Sequence, residues 1–159
     1  MAPRAVPIAK YLVQDRIDVY EPRKVVQTIG REAGFERKDC QELAIVVSEL
    51  VSNIVKYGVS GSVTMEIIVD EVHGPGMAIV AEDIGPQFFD LSMAVRDGYD
   101  DRGPIDPAKL LRRGGLGTGL GAVVRLTDTF DVDPLPKGKR VRVTRFRKRP
   151  KPTSQQKKR

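Results

Sequence analysis

One stretch of this chain, residues 43–58, constrains its fold more than any other. The apolar residues of the stretch recur at helical spacing, which predicts an amphipathic helix with one buried face: Leu43, Val46, Val47, Leu50, Ile54 and Val55. Glu49 and Asn53 interrupt this pattern four residues apart, so both side chains lie on one flank of the helix, one turn apart. A carboxylate and a carboxamide at that place can meet a ligand in a cleft. The alternative is an ordinary surface Glu–Asn pair. Gly58 is predicted to cap the end of the helix.

The length and charge of the chain limit the classes of protein to consider. Its 159 residues suffice for one domain with a core of its own. The net charge of +6 is uneven, because residues 1–133 carry a net charge of −6 whereas residues 134–159 hold 12 basic and no acidic residues. A basic segment on an acidic body is a weak indication of nucleic-acid binding. We expect a domain over residues 1–146, followed by a basic, disordered tail over residues 147–159.

The cysteine and the apolar runs bear on the compartment. The single cysteine, Cys40, excludes a disulfide framework and fits a reducing cytoplasm. No apolar run is long enough to span a bilayer, and the first residues lack the apolar stretch of a signal peptide. The sequence therefore predicts a cytoplasmic protein without a membrane partner. The one histidine, His73, has no second histidine or cysteine partner, which disfavours a metal site there.

The hydrophobic patterns predict helices that alternate with hairpins. Strands are predicted over residues 6–13, 62–71, 76–81, 129–132 and 140–146, and helices over residues 18–33, 39–58, 91–97 and 119–126. Asp18 is expected to cap the first helix. Residues 98–113 lack apolar periodicity, so they are predicted to form a long loop of the lid or binding kind. This order predicts an α+β fold, a two-layer sandwich of a mostly antiparallel sheet with helices on one face.

A second polar motif, residues 81–87 (AEDIGPQ), follows an apolar strand. Asp83 lies at the strand end beside a sharp turn, where it can accept hydrogen bonds from an amine such as the exocyclic amino group of adenine. Gly85 permits a flat ring to approach the backbone closely. The alternative for this motif alone is a charged turn.

A third motif, residues 114–121 (GGLGTGLG), runs directly into a predicted helix. Five glycines in eight residues carry a large entropy cost, and a loop whose N–H groups face an anion, next to a helix N-terminus, explains them. Arg112 and Arg113 add cations suited to a terminal phosphate. The spacing differs from that of Walker A and dinucleotide-binding loops. The alternative is a flexible hinge.

Taken in order, the three motifs resemble those of the GHKL ATPase family: E-x-x-x-N on a helix, D-x-G-x-G after a strand (D-x-G-x-Q in this chain), and a glycine-rich lid before a helix. The resemblance is closest to the small bacterial serine/threonine kinases that act as anti-sigma factors or stressosome switch kinases, RsbT-like more than RsbW-like. It spans roughly residues 10–146. It implies the Bergerat ATP-binding fold, ATP and Mg²⁺ as cofactors, and a STAS-domain protein of the stressosome or anti-anti-sigma type as substrate. It also implies a PP2C-type phosphatase, another output enzyme or a sigma factor as a further partner.

The resemblance implies a role for each motif residue. Glu49 is the catalytic residue that positions or deprotonates the nucleophile, Asn53 holds Mg²⁺, and Asp83 with Gly85 reads adenine. The residues implied to hold the phosphates are Arg113, Gly115, Gly117, Thr118, Gly119 and Gly121. Two positions depart from the family. Gln87 replaces a glycine and either crowds the nucleotide or points outward, and Lys139 stands where the family often has a threonine near adenine.

The sequence leaves two functions open. Intact Glu49 and Asn53 favour an ATP-dependent protein-serine/threonine kinase. Gln87 and Lys139 favour a non-catalytic module that sequesters a sigma factor or partner enzyme and binds nucleotide weakly or not at all. Nucleic-acid binding through the tail is disfavoured, because the tail offers no aromatic platform for bases beyond Phe146.

Overall fold

The computed structural model describes residues 4–88, 99–100, 103–104 and 119–150. Its helices are α1 (Tyr20–Glu32), α2 (Arg37–Asn53) and α3 (Leu120–Leu126). Its strands are β1 (Arg4–Val13), β2 (Gly61–Asp70), β3 (Gly74–Asp83), β4 (Tyr99–Asp100), β5 (Gly103–Pro104), β6 (Thr129–Pro134) and β7 (Lys139–Phe146). The predicted helix over residues 91–97 and most of the glycine-rich segment lie outside the described residues.

The sheet confirms the predicted hairpins. Five strands form one sheet in the order β1-β2-β3-β7-β6, and every neighbouring pair is antiparallel. β4 and β5 form a separate antiparallel pair. These four residues fall in the segment that the sequence predicted as a long loop, and they form a short antiparallel pair within it. The loop prediction for residues 105–113 lies outside the described residues.

One face of the sheet carries the core. Alternate residues of the central strands point toward the helices, as the period of two along a strand requires: Val63, Met65, Met77, Ile79, Ala81, Val141 and Val143. The apolar stripe of α2 packs into the same cluster, and α1 and α3 pack against α2. The predicted α+β two-layer sandwich is confirmed. The opposite face holds a small cluster of Ile68, Ala78 and Phe146.

The first helical region begins differently from the prediction. A 3-10 helix, Arg16–Val19, precedes α1, so Asp18 lies before the α-helix instead of capping it. Its carboxylate accepts the backbone N–H groups of Gln14 at 2.8 Å and Asp15 at 2.9 Å. These hydrogen bonds favour the charged form and lower the pKa of Asp18. Asp18 is therefore the third residue of a 3-10 helix whose N-cap is Asp15, and its carboxylate completes a capping box there.

The end of the central helix also differs. The chain continues from α2 into a π-helical turn, Ile54–Gly58, and Gly58 is not the residue with a left-handed backbone. That residue is Val59, with φ 71° and ψ −68°. The N–H of Ser60 donates to the carbonyl of Gly58 at 2.9 Å, which makes this a γ-turn. The predicted C-cap at Gly58 is therefore wrong.

The predicted tail begins with residues that contact the domain. The N–H of Arg147 donates to the carbonyl of Pro75 at 3.0 Å. Arg149 donates to the carboxylate of Asp128 at 2.9 Å and to the carbonyl of Thr127 at 3.1 Å. The packed part of the chain thus extends to Arg149. Residues 151–159 lie outside the described part of the chain, and a tail there stays a prediction.

Arg145 joins three elements from the helix-facing side of β7. Its buried guanidinium donates to Asp39 and Glu42 near the start of α2, at 2.7 Å each, and to the carbonyl of Leu126 at the end of α3, at 2.8 Å. The two carboxylates are about four-fifths buried, with side-chain exposures of 21% and 19%. This network holds α2 and α3 to the sheet.

Replacing Arg145 with Met should destabilise the fold, because two partly buried carboxylates would lose their cationic partner. We expect Arg145→Met to lower the free energy of unfolding by about 3 kcal/mol in urea denaturation. Arg140→Met is the matched control, since the Arg140–Glu82 pair is much more exposed and should contribute less than about 1 kcal/mol. Equal losses in the two variants would contradict the role given to Arg145.

Candidate functional site

The last residue of β3, Asp83, lies where β3, β7 and the π-helical turn meet. Its side chain is buried, and Oδ1 accepts the N–H of Gly85 at 2.9 Å. Gly58 packs directly against it, because a Cβ on Gly58 would lie 2.6 Å from Cβ of Asp83. Gly58 is therefore required for this close contact. The contact fixes the end of the central helical segment to the end of the central strand.

Gly85 continues the same close packing. A Cβ at this position would lie 2.5 Å from the carbonyl oxygen of Tyr57 and 2.6 Å from Cα of Gly58. The backbone that requires a glycine here is thus the backbone of the π-helical turn. The approach of a flat ring to Gly85, which the sequence suggested, stays a prediction.

Glu49 and Asn53 are both buried, at 1% and 9% exposure. The alternative of an ordinary surface pair is therefore wrong. Asn53 is the last residue of α2, and the π-helical turn runs from it to Gly58, which contacts Asp83. At about 1.5 Å of rise per residue, the two ends of that turn are separated by less than about 8 Å along its axis. The structure thus brings the first motif close to the second.

Only the end of the glycine-rich motif is described. Gly119 has φ 67° and ψ −146°, a conformation that an L side chain disfavours, and Gly121 is buried in the first turn of α3. Because α3 packs against α2, both glycines lie on the helix side of the sheet with Glu49 and Asn53. Four other predicted residues lie outside the described part of the chain: Arg113, Gly115, Gly117 and Thr118.

Lys139, which the resemblance implied to stand near adenine, makes contacts in this site that sequence reasoning did not predict. Its Nζ lies 3.1 Å from each carboxylate oxygen of Asp83 and donates to the carbonyl of Pro86 at 2.8 Å. The ammonium group is also 5.0 Å from the centroid of the Phe88 ring. Lys139 is only 1% exposed. Lys139 is the first residue of β7 and pairs with Asp83 in the sheet. A sequence pattern could not indicate this pairing, because the two residues are far apart in the chain.

Gln87, the other departure from the family pattern, contacts the turn that carries Lys139. Its Nε2 donates to the carbonyl of Gly138. Gly138 has φ 96°, and a Cβ there would overlap the backbone carbonyl of Asp83. The β6–β7 turn is therefore pressed against Asp83 and held by Gln87.

In this site the carboxylate of Asp83 accepts hydrogen bonds from N–H groups. The carboxamide oxygen of Asn53 is a hard ligand of the kind that binds Mg²⁺. Within the described ranges, no group of three histidine, cysteine or acidic residues is arranged to hold a metal ion. Mg²⁺ commonly takes few protein ligands and completes its shell with water and phosphate oxygens, so a single carboxamide fits a phosphate-bound Mg²⁺. None of the helices that the structure describes is long and apolar enough to cross a membrane.

Two comparisons with known proteins agree on the family, and a third shows the fold. The family model described as "Histidine kinase-like ATPase domain" matches residues 13–145. The serine/threonine-protein kinase RsbT of Bacillus subtilis (strain 168) is 31% identical over 116 residues, which are 73% of this chain and 78% of that protein. The crystal structure of the SiaB–SiaC complex from Pseudomonas aeruginosa matches with a TM-score of 0.54 at 14% identity, covering 87% of this chain and 90% of that chain. The resemblance to RsbT-like GHKL kinases is confirmed, and the structural match supports the fold.

The contact of Gly58 with Asp83 can be tested by adding one methyl group. We expect Gly58→Ala to lower the free energy of unfolding by about 2 kcal/mol or more, because the methyl group would overlap the Asp83 side chain. Gly74→Ala is the control. Its Cβ meets nothing within 4 Å, so it adds only the strain of φ 80°, about 1 kcal/mol. Urea denaturation measures both, and a Gly58→Ala variant as stable as the parent would contradict the packing.

Proposed function

The chain belongs to the histidine kinase-like ATPase domain family, and from this we propose that it is an ATP-dependent protein-serine/threonine kinase. We propose a STAS-domain protein of a bacterial partner-switching or stressosome pathway as its substrate. The observation that carries the proposal is the burial of Glu49 and Asn53 on one flank of α2, next to the turn that reaches Asp83. This arrangement supports a single Mg·ATP site built from a carboxylate, a carboxamide and a second carboxylate.

Glu49 is proposed as the catalytic residue. It would orient the hydroxyl group of the substrate serine or threonine and accept its proton during transfer. Phosphoryl transfer needs chiefly positioning and charge neutralisation, so one rigid carboxylate on a buried helix is suited to this task. The packing of α2 on both the sheet and α3 supplies that rigidity.

The other site residues are proposed to bind Mg·ATP. The carboxamide oxygen of Asn53 would hold Mg²⁺, and the bound ion would neutralise charge on the phosphates. Asp83 already accepts N–H donors from Gly85 and Lys139, which is the chemistry that an adenine amino group needs. The phosphates are assigned to the glycine-rich segment and the arginine before it: Arg113, Gly115, Gly117, Thr118, Gly119 and Gly121.

The proposed partners follow from the relationship to RsbT, whose name describes a kinase that acts on protein serine or threonine. We place the reaction in the cytoplasm. After phosphorylating the STAS-domain protein, the released kinase would bind a second protein, such as a PP2C-type phosphatase, another output enzyme or a sigma factor.

A second candidate function is a non-catalytic binding module. The buried pair of Lys139 and Asp83 favours it, because the carboxylate that would read the base is already engaged. A saturation measurement with a fluorescent ATP analogue and Mg²⁺ separates the two functions. Saturable binding supports the kinase, and its absence supports the module.

The role of Glu49 predicts a loss of transfer without a loss of nucleotide binding. We expect Glu49→Gln to reduce transfer of labelled phosphate from ATP to a STAS-domain protein at least about 100-fold, because the proton acceptor is removed. The dissociation constant for Mg·ATP should change less than about threefold. Glu82→Gln is the control, since Glu82 lies on the helix-free face and pairs with Arg140. Undiminished transfer by Glu49→Gln would refute the catalytic role.

The role of Asn53 predicts a loss that depends on Mg²⁺. We expect Asn53→Ala to weaken ATP binding about tenfold or more in the presence of Mg²⁺, because the hard oxygen ligand is lost. Binding measured in EDTA should differ little between variant and parent. Equal weakening with and without Mg²⁺ would show that Asn53 acts on packing and not on the ion.

A further inference from the structure

We propose that Lys139 determines the nucleotide affinity of this site, because its ammonium group holds Asp83 and a base can reach that carboxylate only by displacing it. This inference rests on the proposed function, in which Asp83 reads the base. Beyond that function, the inference assigns to Lys139 a role that opposes nucleotide binding. The effect of Lys139 on nucleotide affinity can be measured separately from kinase activity.

The carboxylate of Asp83 is already hydrogen-bonded and buried. Both oxygens of Asp83 lie 3.1 Å from Nζ of Lys139, and Oδ1 also accepts the N–H of Gly85 at 2.9 Å. The side chain of Asp83 is 4% exposed, and that of Lys139 is 2% exposed. A donor from outside therefore meets a carboxylate that is already hydrogen-bonded and covered.

The ammonium group of Lys139 has further partners. Besides Asp83, it donates to the carbonyl of Pro86 and lies against the ring of Phe88. An ammonium group has three donors and no acceptor. It cannot accept a hydrogen bond from the amino group of adenine, and the Asp83 side chain beside it is only 4% exposed, so the two groups compete for access to the same oxygens.

The backbone around Lys139 is held in place by the sheet and by the β6–β7 turn. Lys139 is paired with Asp83 in the register of β3 and β7, so its Cα is fixed by the sheet. Gly138 packs against the carbonyl of Asp83, and Gln87 donates to the carbonyl of Gly138. The turn cannot withdraw without breaking these contacts. Displacement therefore requires rotation of the Lys139 side chain, while Gln87 holds the backbone of the turn in place.

The decisive measurement compares Mg·ATP binding by the full chain and by Lys139→Thr. We expect the variant to bind at least tenfold more tightly, because the competing ammonium group is gone. Arg140→Thr is the matched control. It removes a cation from the next position of the same strand, but its partner Glu82 lies on the helix-free face, so binding should change less than about twofold.

The outcomes distinguish this inference from the proposed function. If the parent binds Mg·ATP and Lys139→Thr binds equally or more weakly, the inference is overturned and the proposed function stands. If neither protein binds Mg·ATP, both are overturned, because removal of Lys139 has not released the site. If the parent binds and Lys139→Thr binds more tightly with an unchanged control, both are supported. If only Lys139→Thr binds, the inference is supported and the kinase function of the parent is overturned.

A second measurement on the parent protein covers the case in which Lys139→Thr fails to fold. The probe is an amine-reactive acylating reagent, with the labelled lysines identified by mass spectrometry. Lys139 should react slowly in the absence of nucleotide and at least fivefold faster with saturating Mg·ATP, whereas exposed Lys10 on β1 should react equally in both conditions. Equally slow labelling of Lys139 with nucleotide bound would overturn displacement.

Discussion

The burial of α2 is the constraint on which the rest of this structure depends. The helix packs against the sheet, α1 and α3, so little of its surface reaches water. Because it is enclosed in this way, Glu49 and Asn53 leave bulk solvent although their positions are polar. Burying a carboxylate is unfavourable unless other interactions offset it, and such positions are frequent in functional sites. The same packing carries the π-helical turn to Asp83, so the core and the site arise from one helix.

A second constraint is the buried pair of Asp83 and Lys139. A buried ion pair gains Coulomb energy but loses the hydration of both charges, so it contributes little net stability. Removing one partner is a different matter, because the remaining charge then stays buried alone. In this protein the pair links the end of the central strand to the start of β7. The carboxylate that is proposed to read the base is thus also part of a structural contact.

The sequence predicted the parts of the fold that local patterns determine. The apolar spacing of residues 43–55 located α2, and β-branched runs located the hairpin of β2 and β3. The π-helical turn and the strained Val59 escaped prediction. They lie beside the contact of Gly58 with Asp83, 25 positions away, which no local pattern indicates. Of the ten candidate site residues, six lie in the described part of the chain, and the roles of all ten stay predictions. The ion pair of Lys139 was not predicted, because no local pattern reports a partner across the sheet.

The two departures from the family pattern therefore have one physical meaning. In the sequence the two residues are considered separately. Gln87 is a side chain that is expected beside the nucleotide, and Lys139 is a charge that is expected near the base. In the structure Gln87 holds the turn that presents Lys139 to Asp83. A tenfold effect on affinity corresponds to about 1.4 kcal/mol, which a side-chain rotation can supply without unfolding any element. The choice between an active kinase and a binding module then becomes one equilibrium, in which the base and the lysine compete for the same carboxylate.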